Sequence, residues 1–111
     1  MLWPLEAGRY RLTYSLGAWT DDTYRVTQAV ADRPDGPFRE SGQILMRTTA
    51  AVKGPGHHNF FVGPDGATWV VYHGWDPAMT ARLPRIDRIQ VDADGTLRSP
   101  APTSTPQRHQ W

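Results

Sequence analysis

The chain has 111 residues and a formal net charge of +1 at neutral pH, with positive and negative side chains mixed along its length. This length suits one small domain or a piece of a larger one, and the balanced charge gives no electrostatic reason to expect nucleic acid or an anionic membrane as partner. Cysteine is absent, which excludes disulfide bonds and thiolate metal sites.

The sequence carries no recognisable targeting segment. No apolar run approaches the roughly 20 residues that a membrane helix needs. The opening residues, MLWPLE, lack the basic region and the long apolar core of a signal peptide, so none is expected here. The absence of cysteine does not fix the compartment, and the localisation stays open.

Period-two alternation predicts strands in the first half of the chain. Along residues 9–14, Tyr10, Leu12 and Tyr14 share one face of a strand, and the intervening polar residues take the other. Residues 24–30 contain β-branched and aromatic side chains and are a second candidate. Residues 44–47 are a shorter third candidate that would close the unit.

A hairpin is predicted in the second half. The turn sequence GPDG at 63–66 lies between two apolar runs, so strands are expected over 59–62 and 68–73. Another strand is expected over 85–91. No segment carries a helical stripe, and ten prolines and ten glycines favour short strands with turns. The expected fold class is therefore all-β.

The chain also repeats itself at a spacing of about 58 residues. Each copy predicts two strands, an Asp-Gly turn and a further strand. A repeat of this length favours sheets that stack around an axis and bury their faces against their neighbours. The pairs that carry the repeat are Gly8 with Gly66, Tyr14 with Tyr72, and Asp35 with Asp94.

The most distinctive run is GPGHHNFFVGPDGATWVVYHGW, residues 54–75. Its glycines and proline place an imidazole where the backbone is crowded. Together with its flanking segments, the run resembles the last blades of the five-bladed propeller of glycoside hydrolase family 43, which contains arabinanases, arabinofuranosidases and xylosidases. The matching motifs are GPGH at 54–57, PDG at 64–66, VYH at 71–73, GRYRLTYS at 8–15, DGPF at 35–38, ARLPRIDRI at 81–89, DG at 94–95 and the closing residues 102–107.

The resemblance implies about two blades of a five-bladed β-propeller. One blade is expected over 1–47 and the next over 54–98, and residues 99–111 would seal the last blade to the first. The implied activity is hydrolysis of arabinofuranosyl or xylosyl linkages in plant polysaccharides, with arabinose- or xylose-containing oligosaccharides as ligands. Missing blades would leave strand edges and apolar faces exposed, so self-association is expected.

The catalytic carboxylates that the resemblance implies are expected to lie outside this chain. Glycoside hydrolysis needs two carboxyl groups facing one bond. In family 43, two aspartates belong to the first blades, and the acid is a glutamate followed by Gly-Pro or Ala-Pro just before the strand that residues 8–15 resemble. Glu6 lacks that proline, so no catalytic residue is assigned and the isolated chain is expected to be inactive. A non-catalytic carbohydrate-binding or structural β-module is the alternative.

Five aspartates lie in turn contexts, where Asx turns explain them without a catalytic role. They are Asp21, Asp22, Asp65, Asp76 and Asp94.

His57 is the candidate for both substrate and metal binding. In family 43 the histidine of the GPGH motif points into the central channel and is associated with a cation, often calcium, through ordered water. Calcium prefers oxygen ligands, so a lone imidazole is a poor site, and no cofactor is assigned to this chain alone. A buried, hydrogen-bonded histidine without an ion is the alternative. His58 is interpreted as a side-strand residue, and His73 as a core or rim histidine.

Arg82 is the second candidate for substrate binding. In family 43 an arginine near this position reaches toward the sugar, and a guanidinium suits pairs of hydroxyls or a carboxylate. Arg85 is the alternative counterpart because the register across Pro84 is open, and a solvated strand-edge arginine is the alternative role. Trp19 and Trp75 would stack on a sugar or pack within the blade, and packing is favoured.

Overall fold

The structure is a computed structural model that describes residues 2–4, 9–92, 96–98 and 102–103. These residues form two four-stranded antiparallel sheets, each with its strands in sequence order. The described residues contain no helix, so the all-β prediction is confirmed. It follows that no helix in this part of the chain could span a membrane. The first sheet contains β1 (Leu2–Pro4), β2 (Tyr10–Leu16), β3 (Arg25–Ala31) and β4 (Arg39–Met46). The second contains β5 (Lys53–Val62), β6 (Thr68–Trp75), β7 (Arg82–Val91) and β8 (Leu97–Arg98).

Some predictions concern residues outside the described ranges. Glu6, Gly8 and the Asp94-Gly95 turn lie there, as does most of the predicted closing segment 99–111. The repeat is nevertheless visible in the strands, because β6 begins one repeat after β2, and β8 begins one repeat after β4.

The predicted hairpin between β5 and β6 is confirmed. The Gly66 N–H donates to the Gly63 carbonyl at 2.9 Å, and the Gly63 N–H donates to the Ala67 carbonyl at 2.9 Å. On β5, just before this turn, Phe60 packs against the core, whereas Phe61 is 37% exposed. The two rings therefore lie on opposite faces of β5, as strand alternation predicts.

The GPGH segment was predicted to precede a strand at 59–62, but it lies inside β5. Two register shifts interrupt the pairing of β5 with β6, one between Lys53 and Gly56 and one between Gly56 and Asn59. Such bulges let a strand continue while extra residues are accommodated. His57 lies within the second shift and has a φ of 53°, in the left-handed region.

The hydrophobic core lies where the two sheets pack together, and both contribute to it. On β2, however, the more buried face is the polar one: Arg11 and Thr13 are buried, whereas Tyr10, Leu12 and Tyr14 are half-buried. The polar face packs toward the second sheet, and hydrogen bonds make its burial tolerable. The core cluster consists of Val26, Leu45, Met46, Val52, Val70, Tyr72, Ile89 and Leu97.

Gln28 connects the buried polar face of the first sheet to the last strand of the second. Its Oε1 accepts a hydrogen bond from Arg11 Nη1 at 3.0 Å. Its Nε2 donates to the Leu97 carbonyl at 3.0 Å, and its Oε1 also accepts the Leu97 N–H at 3.4 Å. One side-chain amide thus satisfies both backbone groups of Leu97.

A buried carboxylate on β7 anchors residues 102–103. The Thr103 hydroxyl donates to Asp87 Oδ1 at 2.6 Å, and the Thr103 N–H donates to Oδ2 at 3.1 Å. The Tyr72 hydroxyl also donates to Oδ2, at 2.5 Å. Burial, with the nearby Asp87 carboxylate, raises the pKa of Tyr72, so its hydroxyl remains a donor. On the other side, Thr49 donates to the Pro102 carbonyl at 3.2 Å, which ties residues 102–103 to the linker between the sheets.

Candidate functional site

A cleft of about 610 Å³ opens where the β2–β3 loop of the first sheet meets one end of the second sheet. Two lining residues come from that loop, and the others come from β5, β6 and β7. Aromatic rings, two imidazoles and one guanidinium therefore surround one space. The lining residues are Trp19, Tyr24, His57, His73, Arg82 and Pro84.

Two glycines of the GPGH segment allow β5 to approach this loop. Gly54 has a φ of +56°, and a Cβ added there would lie 2.4 Å from the Asp21 carbonyl oxygen. A Cβ at Gly56 would lie 2.0 Å from Cε2 of the Tyr24 ring. Both distances are shorter than any real carbon contact, so only glycine fits at these positions. The glycines press the strand against the loop and so form one wall of the cleft.

Arg82 ties the two sheets together at the cleft. Its Nη1 donates to the Trp19 carbonyl at 3.1 Å, and its Nη2 donates to the Gly54 carbonyl at 2.8 Å. Two more bonds reach His73, from Nη2 to its carbonyl at 2.8 Å and from Nε to its Nδ1 at 2.6 Å. The guanidinium carbon lies 5.6 Å from the centre of the Tyr24 ring and 5.5 Å from that of Trp75. Four of the five N–H groups are thus engaged, and the second N–H of Nη1 has no partner among the described residues.

His57 and His73 form a stacked pair beside this arginine. Their ring centroids are 5.3 Å apart and their planes are inclined by 28°. The His57 ring is exposed, and its backbone N–H donates to Ser15 Oγ of the first sheet at 3.2 Å. Partial burial, and then the charge of Arg82, lower the pKa of His73, which favours its neutral form at neutral pH. His73 was interpreted as a core or rim histidine, but it lines the cleft.

His58 points away from the cleft, toward the first sheet. Its Nε2 lies 2.8 Å from Thr13 Oγ1, and its ring packs edge-on against Phe60 with centroids 5.4 Å apart. Burial lowers the pKa of His58 to about 4, so the ring is neutral at physiological pH. Its place between the sheets agrees with its interpretation as a strand residue rather than a ligand.

The two arginines and the two tryptophans lie in different surroundings. Arg82 lines the cleft, whereas Arg85 lies on the other face of β7 beside Tyr72. Trp75 packs beneath Arg82, and its Nε1 donates to the Trp19 carbonyl at 2.9 Å. The packing role favoured for Trp19 is wrong, because this residue is 57% exposed in the loop between β2 and β3.

The residues around His57 do not fit a calcium ion by themselves. Calcium takes six to eight oxygen ligands, whereas the cleft around His57 is lined by a second imidazole, a positively charged guanidinium, a proline and two aromatic side chains, and none of them is a carboxylate. Within the described ranges, no group of three or more His, Cys, Asp or Glu side chains could hold a metal ion. A calcium ion beside His57, as the resemblance implies, would need oxygen ligands from water or from other parts of a longer protein.

The aspartates that precede the cleft residues along the chain form turns. Asp21 accepts the Thr23 N–H at 2.8 Å, and Asp76 accepts the Thr80 N–H at 2.7 Å. The hydroxyl of each threonine donates to the same carboxylate. These hydrogen bonds lower the pKa of Asp21 and Asp76. The Asp21 contact, with the N–H two residues on, is the Asx turn predicted for this residue. Asp76 instead accepts an N–H four residues on, so it closes a wider turn than the predicted Asx type.

Comparison with known proteins identifies the family. The sequence profile described as Glycosyl hydrolases family 43 matches residues 5–97. This chain belongs to glycosyl hydrolase family 43. A thermostable family 43 glycoside hydrolase of known structure is 34% identical to the chain and superposes on it with a TM-score of 0.81. The two sheets match part of the family 43 propeller fold.

The chain spans about a third of the length of the family 43 proteins that it matches. The beta-D-galactofuranosidase xynD of Aspergillus niger is 33% identical over 100 residues, which cover 86% of this chain and 29% of that protein. The thermostable hydrolase aligns with 96% of this chain and 36% of its own. The alpha-L-arabinanase of Cellvibrio cellulosa, solved with arabinohexaose, shares the fold at 21% identity and a TM-score of 0.71, over 88% of this chain and 35% of its own.

Proposed function

We propose that this chain is the C-terminal part of a family 43 glycosidase that hydrolyses arabinofuranosyl or xylosyl linkages in plant polysaccharides. In this proposal the two sheets are two blades of a five-bladed propeller, with one blade over 1–47, the next over 54–98 and a closing segment over 99–111. Family membership supports the reaction class. The arabinohexaose bound by the Cellvibrio arabinanase supports the class of ligand.

The observation that carries the proposal is the chemistry of the cleft. The exposed ring of Trp19 offers an apolar surface on which the C–H face of a sugar can stack. Arg82 offers its unengaged Nη1 N–H to a hydroxyl, and the exposed His57 ring offers two further polar atoms. An apolar wall with a few fixed polar groups is the usual composition of a small-ligand site.

The chemical step requires groups that the cleft lining does not contain. Hydrolysis of a glycosidic bond needs one carboxyl group to protonate the leaving oxygen and another to activate water or attack. The described lining offers rings, imidazoles and a guanidinium. In this proposal the chain binds and orients the sugar, and the carboxylates come from other parts of a longer protein. No step is routed through a metal ion.

The proposal is tested first with the 111-residue chain. Aryl α-L-arabinofuranoside and aryl β-D-xyloside should not be hydrolysed above background. The same chain should bind arabinotriose or xylotriose, detected by NMR shifts of the Trp19 indole. Turnover that is abolished by replacing a carboxylate of this chain would place the catalytic groups here and contradict the division of roles.

The second test uses the longer protein encoded by the reading frame extended upstream. It should hydrolyse at least one of the two aryl glycosides, and Trp19→Ala and His57→Ala should each lower kcat/KM by about tenfold or more, as expected for lost substrate positioning. Arg33→Ala is the control, since Arg33 lies on an exposed turn and pairs with exposed Asp35. A longer protein that binds the oligosaccharides without hydrolysing any would favour the non-catalytic carbohydrate-binding alternative.

A further inference from the structure

His73 is the cleft residue whose chemistry the local geometry fixes most tightly. Arg82 Nε lies 2.6 Å from His73 Nδ1. A guanidinium N–H can only donate, so Nδ1 must be the acceptor and cannot carry a proton. In a neutral imidazole the proton then resides on Nε2. The arginine therefore determines the tautomer of the histidine.

The surroundings hold both partners in this arrangement. Arg82 is anchored to two backbone carbonyls, that of Trp19 in the loop between β2 and β3 and that of Gly54 on β5. The rings of Tyr24 and Trp75 flank its guanidinium. The His73 ring is stacked against His57, which limits its rotation. The donor is preorganised before any ligand arrives.

The Nε2 atom of His73 is available to a ligand. It makes no hydrogen bond to any residue in the described ranges, and it is not among their buried polar atoms that lack a partner. The ring lines the cleft, and so does Arg82, whose Nη1 keeps one unengaged N–H. Two N–H donors without a competing acceptor favour a ligand that presents oxygen acceptors, and sugar hydroxyl and ring oxygens are such acceptors.

We propose that His73 binds the sugar in the cleft by donating a hydrogen bond from Nε2–H to a sugar oxygen, and that Arg82 positions this donor by fixing the ring tautomer. The inference rests on the proposed function, since it needs a sugar in the cleft. It assigns His73 a direct contact with the ligand and gives Arg82 a positioning role in addition to its own unengaged N–H.

The tautomer is tested without any ligand. In the ¹⁵N NMR spectrum of the 111-residue chain at neutral pH, His73 should show a protonated Nε2 and an unprotonated Nδ1. Arg82→Lys should produce a mixture of tautomers, because a flexible ammonium does not hold a donor at the position of Nε. A protonated Nδ1 in the unchanged chain would overturn the positioning role.

The sugar contact is tested with a matched pair of variants. His73→Asn places an amide near Nδ1, which keeps an acceptor for Arg82 but removes the donor at Nε2. His73→Gln reaches the position of Nε2 and can restore that donor. Binding of arabinotriose and xylotriose, measured by NMR titration, should weaken by about two- to tenfold in the Asn variant, as expected for one lost hydrogen bond. The Gln variant should bind more tightly than the Asn variant.

The outcomes distinguish this inference from the proposed function. Equal binding by the unchanged chain and by His73→Asn, with both folded by thermal unfolding, would overturn the sugar contact and leave the proposed function intact. A chain that binds neither trisaccharide would overturn both. Weakening in the Asn variant with recovery in the Gln variant supports a contact at Nε2, because a purely structural role of Nδ1 predicts the opposite order.

Discussion

Val71 lies directly across from Ile86 in the pairing of β6 with β7, and both side chains are exposed, by 41% and 37%. One repeat earlier in the chain, Thr13 and Gln28 form the equivalent pair between β2 and β3. Those two residues are fully buried, because the second sheet covers them. The same sheet position is thus covered in the first sheet and open in the second.

The open position predicts self-association of the isolated chain. Exposed apolar side chains on a sheet face favour contact with another surface. Sedimentation velocity should show oligomers at micromolar concentration, and Val71→Lys combined with Ile86→Lys should shift the chain toward monomer. Ile44→Lys is the control, because Ile44 is equally exposed but lies on the first sheet. A monomeric unchanged chain, or an equal effect of Ile44→Lys, would argue against association through this face.

A second prediction concerns the contact of Tyr24 with Gly56. Gly56→Ala places a methyl group 2.0 Å from the Tyr24 ring, so the loop or the strand must move. We expect a loss of about 1–3 kcal/mol in the free energy of unfolding, as for other overpacked sites. Urea unfolding measures this loss for Gly56→Ala in the unchanged chain and again in a chain that also carries Tyr24→Ala. In the second chain the loss caused by Gly56→Ala should be smaller. An unchanged penalty in that background would mean that the ring is not the obstacle.

A third prediction concerns the carboxylate that anchors residues 102–103. Asp87→Asn replaces one acceptor oxygen by a donor, which faces either the Thr103 hydroxyl at the Oδ1 position or the Tyr72 hydroxyl and the Thr103 N–H at the Oδ2 position. We expect a loss of about 2–3 kcal/mol in the free energy of unfolding, because buried partners of a charged group are left unpaired. Asp35→Asn, at an exposed ion pair, should change it by less than about 0.5 kcal/mol. Equal effects in chemical denaturation would show that Asp87 is no anchor.

A fourth prediction follows from the buried imidazole of His58. Its pKa is about 4 in the folded chain and near 6.5 in an unfolded one. Between these values the unfolded state binds more protons, so the free energy of unfolding should fall as the pH is lowered from about 6.5 to about 4. His73 contributes in the same direction, since its pKa is also lowered. His58→Gln should therefore flatten the pH dependence of thermal unfolding only in part, whereas an unaltered slope would indicate that His58 titrates normally.

The strands were predictable because their signals are local. Alternation and the GPDG turn each depend on residues that are only a few positions apart in the sequence. These signals predicted β2, β3, β6 and the hairpin after β5. The start of β5 was not predictable, because glycine and proline normally end strands. Here two bulges keep Gly54 and Gly56 within the strand, and these bulges depend on contacts with the other sheet.

The candidate site was predicted in part. His57 and Arg82 were singled out from motifs, and both line one cleft. His73 was missed because its environment depends on cross-strand register: it pairs with Gly56, which brings VYH beside GPGH. Counting residues back from the turn places position 73 opposite position 57, and the register shift between Gly56 and Asn59 moves the partner by one residue, to Gly56. That count is the signal that would have placed His73 beside the GPGH motif. Trp19 was named as a residue that would either stack on a sugar or pack within the blade, and packing was favoured, because the exposure of a loop side chain depends on contacts outside its own segment.

The amide of Gln28 has a consequence for how this sequence can vary. It forms hydrogen bonds with the backbone N–H and carbonyl of Leu97, not with the leucine side chain. Every residue except proline has both of these backbone groups. Position 97 is therefore free, as far as this contact is concerned, to exchange one apolar residue for another. Position 28 is not, because glutamate lacks the donor and shorter amides do not reach. In an alignment of relatives, glutamine should be conserved at position 28, whereas the apolar residue at position 97 should vary. The two positions should therefore show no covariation.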